Sequence, residues 1–276
     1  MHHISANGAN IPAIGLGTWT LRDREAERLV AGAIEAGYRH IDTAAMYENE
    51  AEVGSGIRAS GLPRGDIFLT SKVWYTDLEN GELQRSIEDS LKKLGTDYLD
   101  LALIHWPSKS IALDESIKAL NDLLHRGLAR NIGVSNFTVP LLREAAERSE
   151  HPLACNQIEY HPYLKQDQLL GVCRELGIGV TSYCPLARGA ELFSEPAVAE
   201  AARKHGKTGA QVVLRWHVQQ DGVAAIPRST KLERIRENLD VFDFTLEPAE
   251  MEAISALHGR HLRICDFAFS PEWDRG

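Results

Sequence analysis

Asp42, Tyr47, Lys72 and His105 are side chains whose types, brought together, would perform acid–base chemistry on a substrate oxygen. A phenol is a reluctant proton donor at its ordinary pKa of about 10. A lysine ammonium about 4 Å away is worth on the order of 4 kcal/mol at an effective dielectric of roughly 20. At about 1.36 kcal/mol per pKa unit, Lys72 is expected to lower the Tyr47 phenol by roughly three units. Lys72 would itself tend to lose its proton in a dry pocket, and Asp42 is expected to keep it charged by pairing. His105, neutral, is expected to orient the substrate oxygen through a hydrogen bond. Each residue alone has an ordinary structural meaning: a strand-end cap, a half-packed ring, a solvated tip. Lys72 alone would also suit Schiff-base chemistry of the aldolase kind. Only a shared location makes the four a unit.

That location depends on the elements carrying them. Short apolar runs at 13–16, 39–42, 67–71, 98–104, 131–134, 154–158, 179–182 and 224–226 read as strands. Amphipathic stretches at 24–36, 50–59, 79–94, 114–126, 139–148, 166–176, 209–219 and 232–239 read as helices between and after them. Gly37, Gly61, Gly127 and Gly177 each fall just past a helical stretch, where a left-handed cap is expected. Asn7-Gly8 is a strong signal for an N-terminal β-hairpin, and Pro248 suits the first turn of an extra C-terminal helix. Eight strand–helix alternations fit a closed (β/α)8 barrel better than a doubly wound sheet. No linker or composition shift divides the chain, so residues 1–276 are read as a single domain. Asp42 then closes the second strand, Tyr47 follows five residues on, Lys72 ends the third and His105 follows the fourth. All four fall at the barrel mouth where such folds carry chemistry.

Composition narrows the alternatives. The chain has 43% hydrophobic and 25% charged residues, an ordinary globular balance that excludes disordered and collagen-like classes. Its 30 Lys and Arg against 39 Asp and Glu give a net charge of −9, which disfavours nucleic acid as a partner. No apolar run approaches the ~18 residues needed to span a bilayer. The N-terminal Met1-His2-His3-Ile4 lacks the basic and apolar regions of a secretory signal, and a cytoplasmic location is expected. Cys155, Cys173, Cys184 and Cys265 show no C-x-x-C spacing, so reduced thiols are expected. No H-E-x-x-H occurs among the 11 histidines, and no metal is expected. Gly15-Leu16-Gly17 lacks the third glycine of a dinucleotide fingerprint. Gly206-Lys207-Thr208 lacks the first glycine of a P-loop, and Gly133-Val134-Ser135-Asn136-Phe137 lacks the second glycine of a nucleophile elbow.

Gly37-Tyr38-Arg39-His40-Ile41-Asp42-Thr43-Ala44-Ala45-Met46-Tyr47-Glu48-Asn49-Glu50, continuing to Val53-Gly54, resembles the signature of the aldo-keto reductases. Tyr98-Leu99-Asp100-Leu101, Ile104-His105-Trp106-Pro107, Gly133-Val134-Ser135-Asn136-Phe137 and Ile226-Pro227-Arg228-Ser229 extend the resemblance nearly end to end. Asn136-Phe137-Thr138-Val139-Pro140-Leu141 and Ser270-Pro271-Glu272-Trp273-Asp274 bring it nearest the bacterial 2,5-diketo-D-gluconate reductases, the B type above all. The resemblance implies an NADPH-dependent carbonyl reductase with Asp42, Tyr47, Lys72 and His105 as its tetrad and Tyr47 as general acid. Its substrate would be a keto-sugar acid, methylglyoxal or another small aldehyde.

The resemblance further implies that Ser135, Asn136 and Gln157 hold the cofactor carboxamide and that Tyr183 lies beneath the nicotinamide. It places Leu186 and the run Arg228, Ser229, Thr230 along the cofactor, Arg234 at its phosphates, and Glu237 and Asn238 at its adenine end. Arg228, Lys231, Arg234 and Arg236 form a basic cluster after the eighth strand, where barrels often bind phosphate. The family usually has lysine at position 228; arginine keeps the charge and adds a bidentate fork. Trp19, Met46, Trp74 and Trp106, with His105, are expected to wall the substrate pocket. The tail, residues 260–273, is expected to close over it. Relatives imply a monomer. A non-catalytic NADPH-binding barrel and the Schiff-base aldolase remain the competing readings.

Overall fold

Burial alternates through residues 3–6 and 9–11, which build a two-stranded antiparallel hairpin, β1 (His3–Ala6) and β2 (Ala9–Pro12), paired Ala6 to Ala9 and His3 to Pro12. Asn7 (φ 44°) and Gly8 (φ 90°) make its turn, the conformation that favours this dipeptide. The computed structural model describes residues 2–274. The Asn7 amide donates to Leu153 O at 2.8 Å and Leu176 O at 3.1 Å, tying the hairpin to the loops that lead into later strands.

Eight parallel strands follow, each hydrogen-bonded to the next in chain order: β3 (Leu16–Gly17), β4 (His40–Asp42), β5 (Phe68–Val73), β6 (Leu101–Ile104), β7 (Ile132–Ser135), β8 (Cys155–Glu159), β9 (Gly179–Tyr183) and β10 (Val223–Ala225). The ring closes where Gly15 N donates to Ala225 O at 2.9 Å and Ala225 N to Ala13 O at 2.8 Å. Gly17 is required at the seam, because a Cβ there would lie 2.9 Å from Ile226 O. β6 is buried along its whole length, as expected of a parallel strand covered on both faces.

Helices wrap the ring: α1 (Asp23–Glu35), α2 (Glu50–Ala59), α3 (Glu82–Leu94), α4 (Leu113–His125), α5 (Val139–Arg148), α6 (Asp167–Glu175), α7 (Ala190–Ser194), α8 (Pro196–His205), α9 (Gly209–Val218), α10 (Leu232–Leu239) and α11 (Pro248–Ser255). In α1 the buried set Ala26, Leu29, Val30, Ala33 and Ile34 repeats at helical spacing, so one stripe packs inward and the rest stays wet. The (β/α)8 architecture, the N-terminal hairpin and the extra C-terminal helix are thus as the sequence indicates.

Local bounds differ for physical reasons. β6 begins at Leu101, not at 98, because the Asp100 side chain takes the Leu69 N–H at 3.0 Å and pairs with Arg64 at 2.8 Å. α3 begins at Glu82, since Gly81 (φ 94°) breaks the helix and Gln84 accepts from its N–H at 2.6 Å. β3 has only two residues, starting three residues later and ending one residue later than the apolar run suggests. α7 and α8 have no counterpart in the sequence reading. One has five residues, and the other buries only Val198 and Ala201, too sparse a stripe for periodicity to reveal. The false P-loop resolves into Gly206 ending α8, Lys207 paired with Asp240 and Asp243, and Thr208 capping α9.

Candidate active site

The four ionisable residues converge at the carboxyl ends of β4, β5 and β6. Asp42 is the last residue of β4, Lys72 the penultimate residue of β5, and His105 directly follows β6. Lys72 Nζ lies 2.5 Å from Asp42 Oδ1 and donates to Thr43 O at 2.8 Å, with both charged side chains buried. Tyr47 closes a 3₁₀ turn, Ala45–Tyr47, that Glu48 (φ 56°) terminates. Asn49, fully buried, fixes that loop: its amide donates to Thr18 O at 2.8 Å and Leu21 O at 3.0 Å and accepts from Thr43 at 3.1 Å. The Tyr47 ring thereby stands 5.1 Å from Lys72 Nζ and edge-on to His105, with ring centroids 5.6 Å apart.

Burial sets the protonation of this group. It pulls Lys72 below the ordinary lysine value, while Asp42 pulls the other way. His105 lies well below the ordinary histidine value, first through burial and then through repulsion by Lys72, so its imidazole is neutral near pH 7. Tyr47 moves well above the phenol value, through burial first and the Asp42 charge second. The expectation that Lys72 makes the phenol unusually acidic is therefore corrected. Asp42 is so close to the ammonium that the pair presents little net charge to the ring, and desolvation wins. A Schiff-base role also loses its footing, because Nζ is enclosed and held by Asp42 and Thr43.

Polar side chains on the next strands continue the network. Gln157, in β8, donates to Asp42 Oδ2 at 2.6 Å; Ser135, ending β7, donates to Gln157 O at 2.8 Å. Asn136 (φ 63°) donates to His105 O at 3.0 Å and to Ser135 Oγ at 3.1 Å, and accepts from the Tyr183 hydroxyl at 2.6 Å. Ser135, Asn136, Gln157 and Tyr183, expected at the cofactor, therefore adjoin the tetrad. His105 Nδ1 is buried among them with no protein partner.

Leu186 lies in the β9–α7 loop, where Cys184, Ala187 and Arg188 all have positive φ (48°, 46° and 61°), a strained path for side-chain-bearing residues. Arg228 is exposed, but its guanidinium is engaged by Trp19 O at 3.1 Å and by Thr20, so it tethers the β3–α1 loop. Ser229 and exposed Thr230 precede α10, whose outer face carries exposed Arg234 and whose later turn holds Glu237 and Asn238. Among the described residues, no hydrogen bond or ion pair joins these α10 side chains to the tetrad.

Trp19 and Met46 stand exposed at the mouth, and Trp74 packs edge-on to His105 at 5.1 Å. Trp106 is not an open wall: it is 4% exposed and covered by Phe267, Phe269 and Trp273, at 5.8, 5.2 and 6.0 Å. Phe269 also meets Trp74 at 5.3 Å and stacks on Tyr75 at 4.8 Å, so the tail does reach the pocket wall.

A buried residue that helps hold the tail is Glu159, which the sequence reading missed. Its buried carboxylate, at the end of β8, accepts from Ile264 N at 2.6 Å and Cys265 N at 2.7 Å. His161 Nε2 adds a third contact at 3.0 Å, which fixes the tautomer with hydrogen on that nitrogen. Burial alone would raise this carboxyl, but the three hydrogen bonds outweigh it and hold the group below its ordinary 4.5. With the folded value depressed, the latch contributes fully above that ordinary value and weakens as pH falls through the folded one. Hydrogen bonds to charged groups are worth ~1.5–3 kcal/mol, so Glu159→Gln is expected to speed amide exchange at Ile264 and Cys265 about 10–100-fold. Unchanged exchange in that variant rules the latch out.

Comparison with known proteins adds independent information. The profile of the Aldo/keto reductase family matches residues 13–258. An aldo-keto reductase of Mycobacterium avium (strain 104) is 47% identical over 251 residues, 91% of this chain and 87% of that protein. Methylglyoxal reductase DkgB of Escherichia coli O157:H7 is 42% identical over 267 residues, 96% of this chain and 99% of that one. A crystal structure described provisionally as a 2,5-diketo-D-gluconic acid reductase B superposes with a TM-score of 0.96 at 44% identity, covering 100% of this chain and 98% of the other.

Proposed function

The chain belongs to the aldo/keto reductase family, and on that premise we propose that it reduces aldehyde or ketone carbonyls with NADPH, Tyr47 donating the proton. The observation that carries this reading is the buried Asp42–Lys72 pair beside the Tyr47 and His105 rings at one barrel mouth. The residues present suit a nicotinamide dinucleotide. Ser135, Asn136 and Gln157 offer amide and hydroxyl groups beside the tetrad, and exposed Arg234 with the N-terminus of α10 offers cationic and N–H donors for phosphate. When bound, the reduced nicotinamide supplies hydride to the carbonyl carbon.

The protein's own part is the oxygen. As the carbon accepts hydride, the C=O π pair moves to oxygen, which takes the Tyr47 hydroxyl proton and becomes the alcohol. The phenolate left behind lies beside Lys72, whose ammonium has three N–H groups and spends two on Asp42 and Thr43. Because the phenol sits high, Tyr47 is protonated before each turnover and regains its proton readily afterwards. His105 is neutral, and the ring nitrogen it would turn to the substrate oxygen is Nε2, since Nδ1 is buried.

Methylglyoxal and diketo-sugar acids are the substrates we favour, on the strength of the reductases this chain resembles. The test is cofactor oxidation over a panel of these carbonyls, with NADPH and NADH compared. At ~1.5–3 kcal/mol per charged hydrogen bond, Arg234→Ala is expected to weaken NADPH binding ten- to a hundredfold and leave NADH nearly untouched. No turnover with any carbonyl overturns the assignment; equal use of both cofactors overturns the NADPH preference.

A further inference from the structure

Away from the mouth, at the ends of the outer helices that lead back to the strand starts, lies a group that the reduction reaction does not use. His125 is the last residue of α4, and Glu150 and His151 lie in the connection from α5 to β8. We propose that these three side chains form a binding site for a divalent transition-metal ion such as Zn²⁺.

The case rests on three distances among the same three atoms. His125 Nε2 and His151 Nε2 are 3.2 Å apart, and Glu150 Oε1 is 3.5 Å from the first and 4.0 Å from the second. The point equidistant from the corners of that triangle is about 2.1 Å from each donor, within the ranges for Zn–N (about 2.0–2.1 Å) and Zn–O (about 2.0–2.2 Å). Without an ion, the two imidazole nitrogens face each other and one hydrogen must serve both. A metal accepts both lone pairs at once.

The backbone beneath the site is built in. Buried Asn121 accepts from His151 N at 2.9 Å, and its own amide is held by Ile117 O at 2.7 Å. Ser149 donates to His151 O at 2.6 Å. Binding therefore costs side-chain ordering rather than loop ordering. Two imidazoles and one carboxylate select Zn²⁺, Cu²⁺ or Ni²⁺ over Mg²⁺ and Ca²⁺, and partial exposure leaves the remaining positions to water. The sequence gives no expectation of a metal, and the proposal departs from that reading. The ligands come from two elements 25 residues apart in sequence, which no local motif can announce.

The experiment is a Zn²⁺ titration by calorimetry on tag-free, chelator-treated protein, with thermal unfolding in parallel. The expected result is one Zn²⁺ per chain and a Zn²⁺-dependent rise in Tm. Affinity should fall at least about tenfold in His125→Ala and in His151→Ala, and also weaken in Glu150→Gln, while metal-free Tm stays near wild type. The exposed N-terminal His2 and His3 are the control: a His2→Ala/His3→Ala variant should bind as wild type does. Zn²⁺ binding that survives in a His125→Ala/His151→Ala variant, or that vanishes with His2 and His3 instead, overturns the proposal. So does the absence of any binding by the wild type.

Discussion

Tyr47→Phe should abolish most carbonyl reduction while leaving cofactor affinity unchanged. Removing a positioned general acid costs typically ~10²–10⁴-fold in rate, and no neighbour is placed to substitute. His105 is neutral and well below its ordinary pKa, so it is a poor proton source at neutral pH. Lys72 is fully buried and turned toward Asp42 and Thr43. The substitution deletes one oxygen from a ring whose position is set elsewhere, by Asn49 and the 3₁₀ turn, so the fold should not change. Stopped-flow measurement of kcat, with NADPH binding followed separately by fluorescence quenching, checks both halves. A variant with more than about a tenth of wild-type kcat would remove Tyr47 from the role, since the smallest general-acid effect expected is roughly 10²-fold. The pH profile offers a further discriminant. Tyr47 titrates well above the ordinary phenol value, so kcat should stay flat through neutral pH rather than fall near pH 7 as a strongly acidified phenol would require.

That last point marks where the sequence stops being informative. Asp42, Tyr47, Lys72 and His105 were legible because each follows or ends an apolar run, and parallel barrels gather such ends at one mouth. The direction of the Tyr47 shift was not. It depends on how much water reaches the hydroxyl and on a carboxylate 2.5 Å from the lysine, both consequences of packing. Glu159 is not legible because Ile158-Glu159-Tyr160 reads as an ordinary strand end, and two of its three partners lie more than 100 residues away in the tail. Phe267 and Phe269 carry no period of either helix or strand, so nothing local shows that they cover Trp106. Asn49 lay in plain view within the signature, yet its task, clamping the Tyr47 loop to the end of β3, emerges only from its hydrogen bonds.

Lys72→Met should be the most destabilising change at the site as well as a severe catalytic one. It leaves Asp42 with a buried charge facing only the Gln157 amide at 2.6 Å. Breaking a buried pair by removing one partner costs about 3–5 kcal/mol, because the surviving charge is neither solvated nor matched. At roughly 2–4 °C per kcal/mol for a chain somewhat shorter than this one, Tm should fall by on the order of 10 °C. Adding Asp42→Asn removes the orphaned charge and retains an oxygen for Gln157, so the double variant should recover most of the lost stability. It should recover none of the activity, because the cation beside the phenolate is still missing. Thermal unfolding and kcat measured on the two single variants and the double variant close the cycle. Equal Tm for Lys72→Met and the double variant would mean that Asp42 carries no charge once Lys72 is gone. Restored turnover would mean that the pair only supports the fold. The two readouts must diverge if, as the geometry argues, one ion pair both fills the base of the barrel mouth and holds a cation beside the phenolate that Tyr47 becomes.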